Sequence, residues 1–245
     1  MSDETDGKIG VMIATPIKHW KGLNGLHDNF KRILNEIAEL NADEDCPFRF
    51  ENAFMEGGIV RARNKIVGSF MARKHLKWLV FLDDDLEPPN GESIKPYLLR
   101  LLAHKLPIVG SLYCKRQPEA AWVANFMFEV ELQQNGLLQV AEVGTGMKKY
   151  HREVFENLQR IFPLIAYIDR DSGEKEWGYF QHAVIGGDLM SEDYFCDCLC
   201  RMCKIGLWVD TEIRLMHRHH DGTMFPLGGE WPTIPGLEPA DALPE

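Results

Sequence analysis

No run of apolar residues in this sequence approaches the roughly 18 that carry a helix across a bilayer, and it starts with the polar, acidic stretch Met-Ser-Asp-Glu-Thr-Asp-Gly-Lys. A soluble, cytoplasmic protein is expected. Positive charge is in short supply: 27 Lys and Arg stand against 37 Asp and Glu, a net charge of −10. That balance excludes a broad basic face for duplex DNA or anionic membrane and leaves room only for a local basic groove. The six cysteines do not fall into the two Cys-x-x-Cys pairs of common zinc sites. Cys196, Cys200 and Cys203 instead share one helical face near Phe195, Leu199 and Met202, which predicts buried, reduced thiols; a zinc or iron–sulfur site is the rival reading. Nothing in 245 residues with 45% hydrophobic content calls for a second large domain.

What is present is an alternation of strand and helix patterns. Lys8 to Ala14 reads as a first strand stopped by Thr15-Pro16, and Leu26, Phe30, Ile33, Leu34, Ile37 and Leu40 recur at helical spacing over Asn24 to Leu40. Phe48 to Phe54 alternates as a second strand, and Gly57-Gly58 breaks the chain before a helix over Val60 to Leu76. Trp78 to Leu82 is a buried strand, Ser93 to Ala103 a helix, and Leu106 to Leu112 another buried strand. This order predicts an α/β domain with a mostly parallel sheet. Beyond residue 115 the segments Ala121 to Leu132 and Leu137 to Val143 flank an Asn135-Gly136 hairpin signal, and a helix is expected over Lys149 to Leu158. Residues 159 to 190 read as an irregular loop, Ser191 as the N-cap of a further helix, and Leu207 to Val209 as a strand leading toward His217.

Chemistry concentrates where the central strand ends. Asp83, Asp84 and Asp85 follow Leu82 directly, at the place where an open α/β sheet forms its ligand crevice. If the backbone stays extended, Asp83 and Asp85 share a side and offer hard oxygens suited to Mg2+ or Mn2+. An acidic turn capping the next helix is the plainer alternative. Arg61 and Arg63, with Asn64, stand at the start of a helix, where cations oppose the macrodipole at a cost of about 0.3 to 1 kcal/mol each. Such placement predicts an anion nearby: the aspartate cluster, a bound diphosphate, or both. Glu192 and Asp193 in a first helical turn stabilise that helix, and one of them can also remove a proton from a hydroxyl within hydrogen-bond reach. His217, His219 and His220 form a cluster whose neutral imidazoles suit Mn2+ or Zn2+.

Asp83-Asp84-Asp85 after an apolar strand resembles the Asp-x-Asp motif of nucleotide-sugar-dependent glycosyltransferases with the GT-A fold, a Rossmann-like mixed sheet flanked by helices in a single domain. Other segments resemble that family in order: the Ala14-Thr15-Pro16 turn, Arg61-x-Arg63-Asn64, the Gly144-Thr145-Gly146-Met147 loop, the Glu192-Asp193 pair and a terminal His. The resemblance spans about residues 8 to 220. It implies a donor half over about 8–115, an acceptor half over about 116–220, and a Gly- and Pro-rich tail or flap over 221–245. It implies Thr15, Pro16, Arg61, Arg63, Asn64, Asp83, Asp84, Gly144 and Gly146 against the nucleotide sugar, a UDP-sugar by family frequency. Mn2+ or Mg2+ would sit on Asp83, Asp85 and His217, and Asp193, as the base of inverting members, beside Glu192. The acceptor hydroxyl stays open among a glycan, a protein, a lipid and a modified nucleic-acid base. Two other functions suit the same residues: a metal-dependent phosphohydrolase or nucleotidyltransferase, and a non-catalytic acidic module holding a structural ion.

Overall fold

A computed structural model of the chain describes residues 7–17, 28–117, 119–127, 132–133, 135–219, 221–226 and 230–234. Strand β1 (Ile9–Ile17) is buried at every residue after the first, the mark of a central strand covered on both faces. It runs straight through Thr15 and Pro16, where the sequence predicts a stop. Thr15 sends its Oγ1–H to the Leu82 carbonyl at 2.8 Å, and Ile17 lies opposite Glu56 in a continuous parallel register. Helix α1 (Asp28–Ala42) buries Phe30, Ile33, Ile37 and Leu40 as its spacing predicts; residues 24–27 of the expected helix lie outside the described residues. Strand β2 (Phe48–Glu56) and helix α2 (Ile59–Ala72) follow, and α2 ends four residues earlier than expected because Leu76 already opens strand β3 (Leu76–Leu82).

The two-residue strand β4 (Leu86–Glu87), helix α3 (Lys95–Ala103), strand β5 (Ile108–Tyr113) and short strand β6 (Ala124–Phe126) lead to β7 (Leu137–Val143). Here the largest departure from expectation occurs. Met147–His151 is strand β8, inserted antiparallel between β3 and β5, so the sheet is mixed at its centre and not mostly parallel. Two adjacent lysines hide it. Lys148 and Lys149 are fully buried, Lys148 paired with Asp197 and Lys149 giving its ammonium to the His104 carbonyl over the Trp78 ring. Helix α4 (Arg152–Ile161) therefore starts later, with the His151 ring accepting the Glu153 N–H as its cap.

Residues expected as irregular loop form two hairpins, β9 (Ala166–Ile168) with β10 (Lys175–Trp177) and β11 (Ala183–Ile185) with β12 (Asp188–Met190). Helix α5 (Glu192–Met202) buries Cys196 and Cys200 in the core as predicted, whereas Cys203, expected on the same buried face, caps the helix and is only partly buried. Strand β13 (Leu207–Arg218) is far longer than the expected Leu207 to Val209 and carries His217 within it; β14 (Met224–Phe225) pairs with its end.

The sheet order is β2-β1-β3-β8-β5-β13-β7-β6, with β4 and β14 joined to β13. Alternation along the strands divides the core into two layers. Met12, Leu79 and Phe81 meet Ile66, Phe70, Phe155 and Cys200 from α2, α4 and α5. Val11, Ile13, Val80 and Leu82 meet Phe30, Ile33, Leu98 and Leu101 from α1 and α3. The chain is thus one α/β domain, a mixed sheet between helices. From the tail, Trp231 stacks on Trp122 at 5.5 Å and Ile234 is buried. Among the described residues no helix is long and apolar enough to cross a membrane.

Helix α5 is tied to the sheet by a fully buried ion pair. Lys148 Nζ reaches Asp197 Oδ1 and the Val143 carbonyl at 3.1 Å, while Asp197 Oδ2 accepts the Val143 N–H at 2.8 Å. Asp197→Ala leaves the ammonium buried and unpaired and is expected to cost about 3–5 kcal/mol in urea unfolding. The double replacement Lys148→Met, Asp197→Leu is expected to recover most of that loss; equal loss in the double variant counts against the pair.

Candidate active site

The acidic turn is not the extended segment that would put Asp83 and Asp85 on one side. At Leu82 the strand ends: Asp83 N–H donates to the Gly146 carbonyl at 2.7 Å and Leu86 N–H returns to the Asp83 carbonyl at 3.3 Å, so the three aspartates sit on a tight loop. The chain then pairs β4 against β13, with Leu86 opposite His217 and Glu87 opposite Met216. Arg218 completes the join, its N–H donating to the Asp85 carbonyl at 2.8 Å and its guanidinium meeting Glu87 at 2.5 Å. That backbone pairing carries His217 to the aspartates, with Nε2 at 3.7 Å from Asp85 Oδ1.

The imidazole is fixed in one form. Its Nδ1 lies 2.8 Å from the Cys114 carbonyl, which accepts only from a protonated nitrogen, so Nε2 carries the lone pair. Burial lowers its pKa to about 4 and keeps the ring neutral. Tyr113 meets the ring edge-on at 5.4 Å, and Arg116 Nε donates to Nε2 at 2.8 Å while its Nη2 pairs with Asp85.

On the opposite wall Arg63 is buried between two carboxylates, Nη1 on Glu192 Oε1 at 2.6 Å and Nη2 on Asp83 Oδ2 at 3.4 Å, with its guanidinium 5.9 Å from the Phe81 and Phe180 ring centres. Burial, followed by the nearby Asp84, Asp193 and Glu192 charges, raises Asp83 to about 6 against the pull of Arg63. Asp83 Oδ1 and Arg63 Nε are buried with no hydrogen-bond partner among the described residues. Ser191 holds the N-cap position of α5, but its hydroxyl donates to Asp193 Oδ1 and caps no backbone N–H. The same Oδ1 accepts the Tyr194 N–H at 2.9 Å, which orients the Asp193 carboxylate.

These groups surround a cavity of about 770 Å3, within the size range of small-molecule sites. Asp83, Asp84, Asp85, Glu192 and Asp193 line it against three cations, Arg63, Lys115 and Arg116, leaving negative charge in excess. Gly57 and Gly58 also line it at the start of α2, whose first turn has no side-chain cap among the described residues. Uncapped first-turn N–H groups suit phosphate.

Of the residues singled out in the sequence, Pro16, Arg63, Asp83, Asp84, Asp85, Glu192, Asp193 and His217 are brought together around the cavity. The others are engaged elsewhere. Thr15 is held by Leu82, and Asn64 exchanges two 2.9 Å bonds with the Phe180 backbone. Arg61 pairs with Asp169 at 3.0 Å and Asp171 at 2.6 Å, so its anions come from the β9–β10 turn. Gly144 and Gly146 serve packing: a Cβ at Gly144 would lie 2.1 Å from the Tyr113 hydroxyl, and one at Gly146 2.5 Å from Leu86. His219 meets Asp221 at 3.1 Å, and His220 lies outside the described residues. Sequence reading passed over Tyr113, Lys115 and Arg116, which follow a buried strand as the aspartates do. It also took Gly57-Gly58 only as a break, although two glycines before a helix are themselves an anion-site signal.

No family model matches the chain, and no curated protein matches it. Solved structures with a similar chain path include A197 from STIV, 13% identical over 92% of this chain and 98% of that one, at a TM-score of 0.49. A Drosophila β-1,4-galactosyltransferase 7 mutant in complex with manganese, UDP-Gal and xylobiose is 10% identical over 86% and 71%, at 0.46. A UDP-glucose pyrophosphorylase bound to UDP-glucose is 7% identical over 83% and 90%, at 0.42. At these values the likeness is one of outline, and the chemistry has to come from the side chains.

Asp83 and His217 make opposite demands on pH. A carboxyl raised from 3.8 to about 6 is destabilising once ionised, so its share of stability falls as pH rises from about 4 to 6. A histidine lowered from 6.5 to about 4 loses stability as pH falls through that window. Relative to the wild type, the unfolding temperature of Asp83→Asn is expected to rise from pH 4 to 6.5, and that of His217→Gln to rise from pH 6.5 to 4. Parallel curves for both variants would disprove the assignment.

Proposed function

We propose that this chain transfers a sugar from a nucleoside-diphosphate sugar, a UDP-sugar by the resemblance of its motifs, to an acceptor hydroxyl. The observation that carries the reading is the neutral His217 imidazole turned toward the Asp85 carboxylate 3.7 Å away, in the cavity that also holds Asp83 and Asp193.

The residues fit a divalent ion. One hard oxygen of Asp85 and the His217 imidazole nitrogen are donors suited to Mn2+ or Mg2+, and Asp83 Oδ1 has no partner among the described residues. The Cys114 carbonyl orients His217 as carbonyls commonly orient ligating histidines. Among the described residues no three or more His, Cys, Asp or Glu side chains converge to hold an ion, so the proposed site has two protein ligands and substrate phosphate would have to complete it. Asp85 and His217 would hold it, Asp83 being engaged by Arg63 on the other wall, and it would supply charge neutralisation for the departing nucleoside diphosphate.

The rest is done by the chain. The uncapped start of α2 at Gly57-Gly58 binds phosphate through backbone N–H groups. Arg63 holds Asp83 and Glu192 in place; with Glu192 committed to that guanidinium, Asp193 is the carboxylate that accepts the acceptor's hydroxyl proton, aimed by Ser191. A donor half over about residues 8–115 and an acceptor half over about 116–220 remain the proposed division of labour, with β8 of the second half inserted between β3 and β5 of the first. Lys115 and Arg116 in the same cavity would also suit a longer phosphate chain, which keeps a nucleotidyltransferase as the second reading.

A panel of nucleotide sugars with Mn2+ or Mg2+, followed by release of nucleotide, sugar and pyrophosphate, separates the two. One donor is expected to be preferred, with all turnover lost in Asp85→Ala. Asp193→Asn is expected to lower turnover about 10^2- to 10^4-fold while donor binding is retained. Release of pyrophosphate or phosphate that ignores Asp193→Asn identifies the nucleotidyltransferase or phosphohydrolase, and ion binding without turnover identifies a binding module.

A further inference from the structure

We propose that Arg116 is a displaceable cation, seated on the Asp85–His217 pair and required to leave it before a divalent ion is held there. The inference rests on the metal-site reading above and concerns a residue to which that reading gives no role in holding the ion.

Three contacts carry it. Arg116 Nε donates to His217 Nε2 at 2.8 Å, and its Nη2 pairs with Asp85 Oδ2, so one guanidinium engages both residues that would hold the ion and takes the imidazole lone pair itself. His217 Nδ1 is committed to the Cys114 carbonyl, which leaves Nε2 one lone pair, and one lone pair cannot accept an N–H and bind a metal at once. The two occupants therefore exclude each other. Asp85 follows the same logic electrostatically: beside Asp83 and Asp84 it needs a positive partner, and Arg116 supplies one.

The segment is built to release the side chain alone. Val123 N–H donates to the Tyr113 carbonyl at 2.9 Å and Lys115 N–H to the Ala121 carbonyl at 2.8 Å, anchoring the backbone on both sides of Cys114. The Arg116 side chain is 37% exposed, so rotation about its own bonds takes it off the pair without disturbing the carbonyl that orients His217. Once free at the cavity wall beside Lys115, its planar fork matches a phosphate of the incoming nucleotide. Ion entry and nucleotide capture are coupled through one side chain.

The test is Mn2+ binding without turnover, read from the electron paramagnetic resonance signal of free Mn2+, with and without UDP. Arg116→Ala, with Arg116→Met as a second variant that keeps the apolar stem, is expected to bind Mn2+ about ten- to a hundredfold more tightly than the wild type, the size of a charge-assisted contact no longer broken. Lys115→Met removes the same charge from the cavity but leaves His217 covered, and is expected to gain much less. Adding Asp85→Asn is expected to erase the gain. Equal tightening by Lys115→Met and Arg116→Ala overturns the proposal in favour of general electrostatics, as does unchanged or weaker binding in both Arg116 variants. In those cases Mn2+ binding by the wild type still supports the metal site. Absence of Mn2+ binding from every variant, with UDP present, overturns the site reading and this inference together.

Discussion

A guanidinium buried among aromatic rings and acids holds the candidate site together. Arg63 is nearly inaccessible, lies against Phe81 and Phe180, and is shared by Glu192 and Asp83. Removing an Arg from water is tolerable only when its charge is met, so three distant pieces of chain, the start of α2, the end of β3 and the start of α5, are compelled to converge. The acids in turn need the cation: without it Asp83, Asp84, Glu192 and Asp193 would meet as like charges in a poorly solvated crevice. The cost is visible in Asp83, which burial raises to about 6 despite Arg63.

The opposite wall answers the same electrostatic problem with backbone. Leu86 and Glu87 pair with β13, so ladder hydrogen bonds, not side-chain attraction, deliver His217 to the acidic turn. Backbone pairing is directional and tolerates little slip, which makes it a dependable means of joining residues 85 and 217. Tyr113 then links the walls, packed on Gly144 and Gly146 and edge-on to His217. The glycines resembling a ligand loop owe their small size to that ring.

Much of the frame was legible in the sequence because its elements obey simple periodicities. The helical face of α1 and the apolar runs of β1, β3 and β5 could be read directly, and the aspartates marked the crevice because the end of a buried strand is where an open α/β sheet forms its ligand site, although a plain acidic turn explained them as well. β8 was illegible: its two lysines carry the signature of a surface, and only Asp197, the His104 carbonyl and the Trp78 ring explain why they are buried. The reach of β13 was hidden for a like reason, since Asp210, Glu212 and Arg214 break its apolar pattern, and Asp210 is buried against Arg100 and His104. Polar residues satisfied by partners 45 to 110 positions away give no local signal.

What the sequence determined alone was composition and local pattern: an acidic chain of alternating strands and helices, with carboxylates at the end of one strand, a Glu-Asp pair opening one helix and a histidine cluster near the end. Which of those charges face one another was decided by tertiary structure. Glu192 and Asp193 are adjacent in sequence, yet one is bound to a buried arginine and the other is aimed by a serine; Arg61 and Arg63 are two apart, yet they serve different loops. The physical reason is that a charge's role depends on which opposite charge and how little water the fold places beside it, and neither quantity is a property of the residue or its neighbours in the chain.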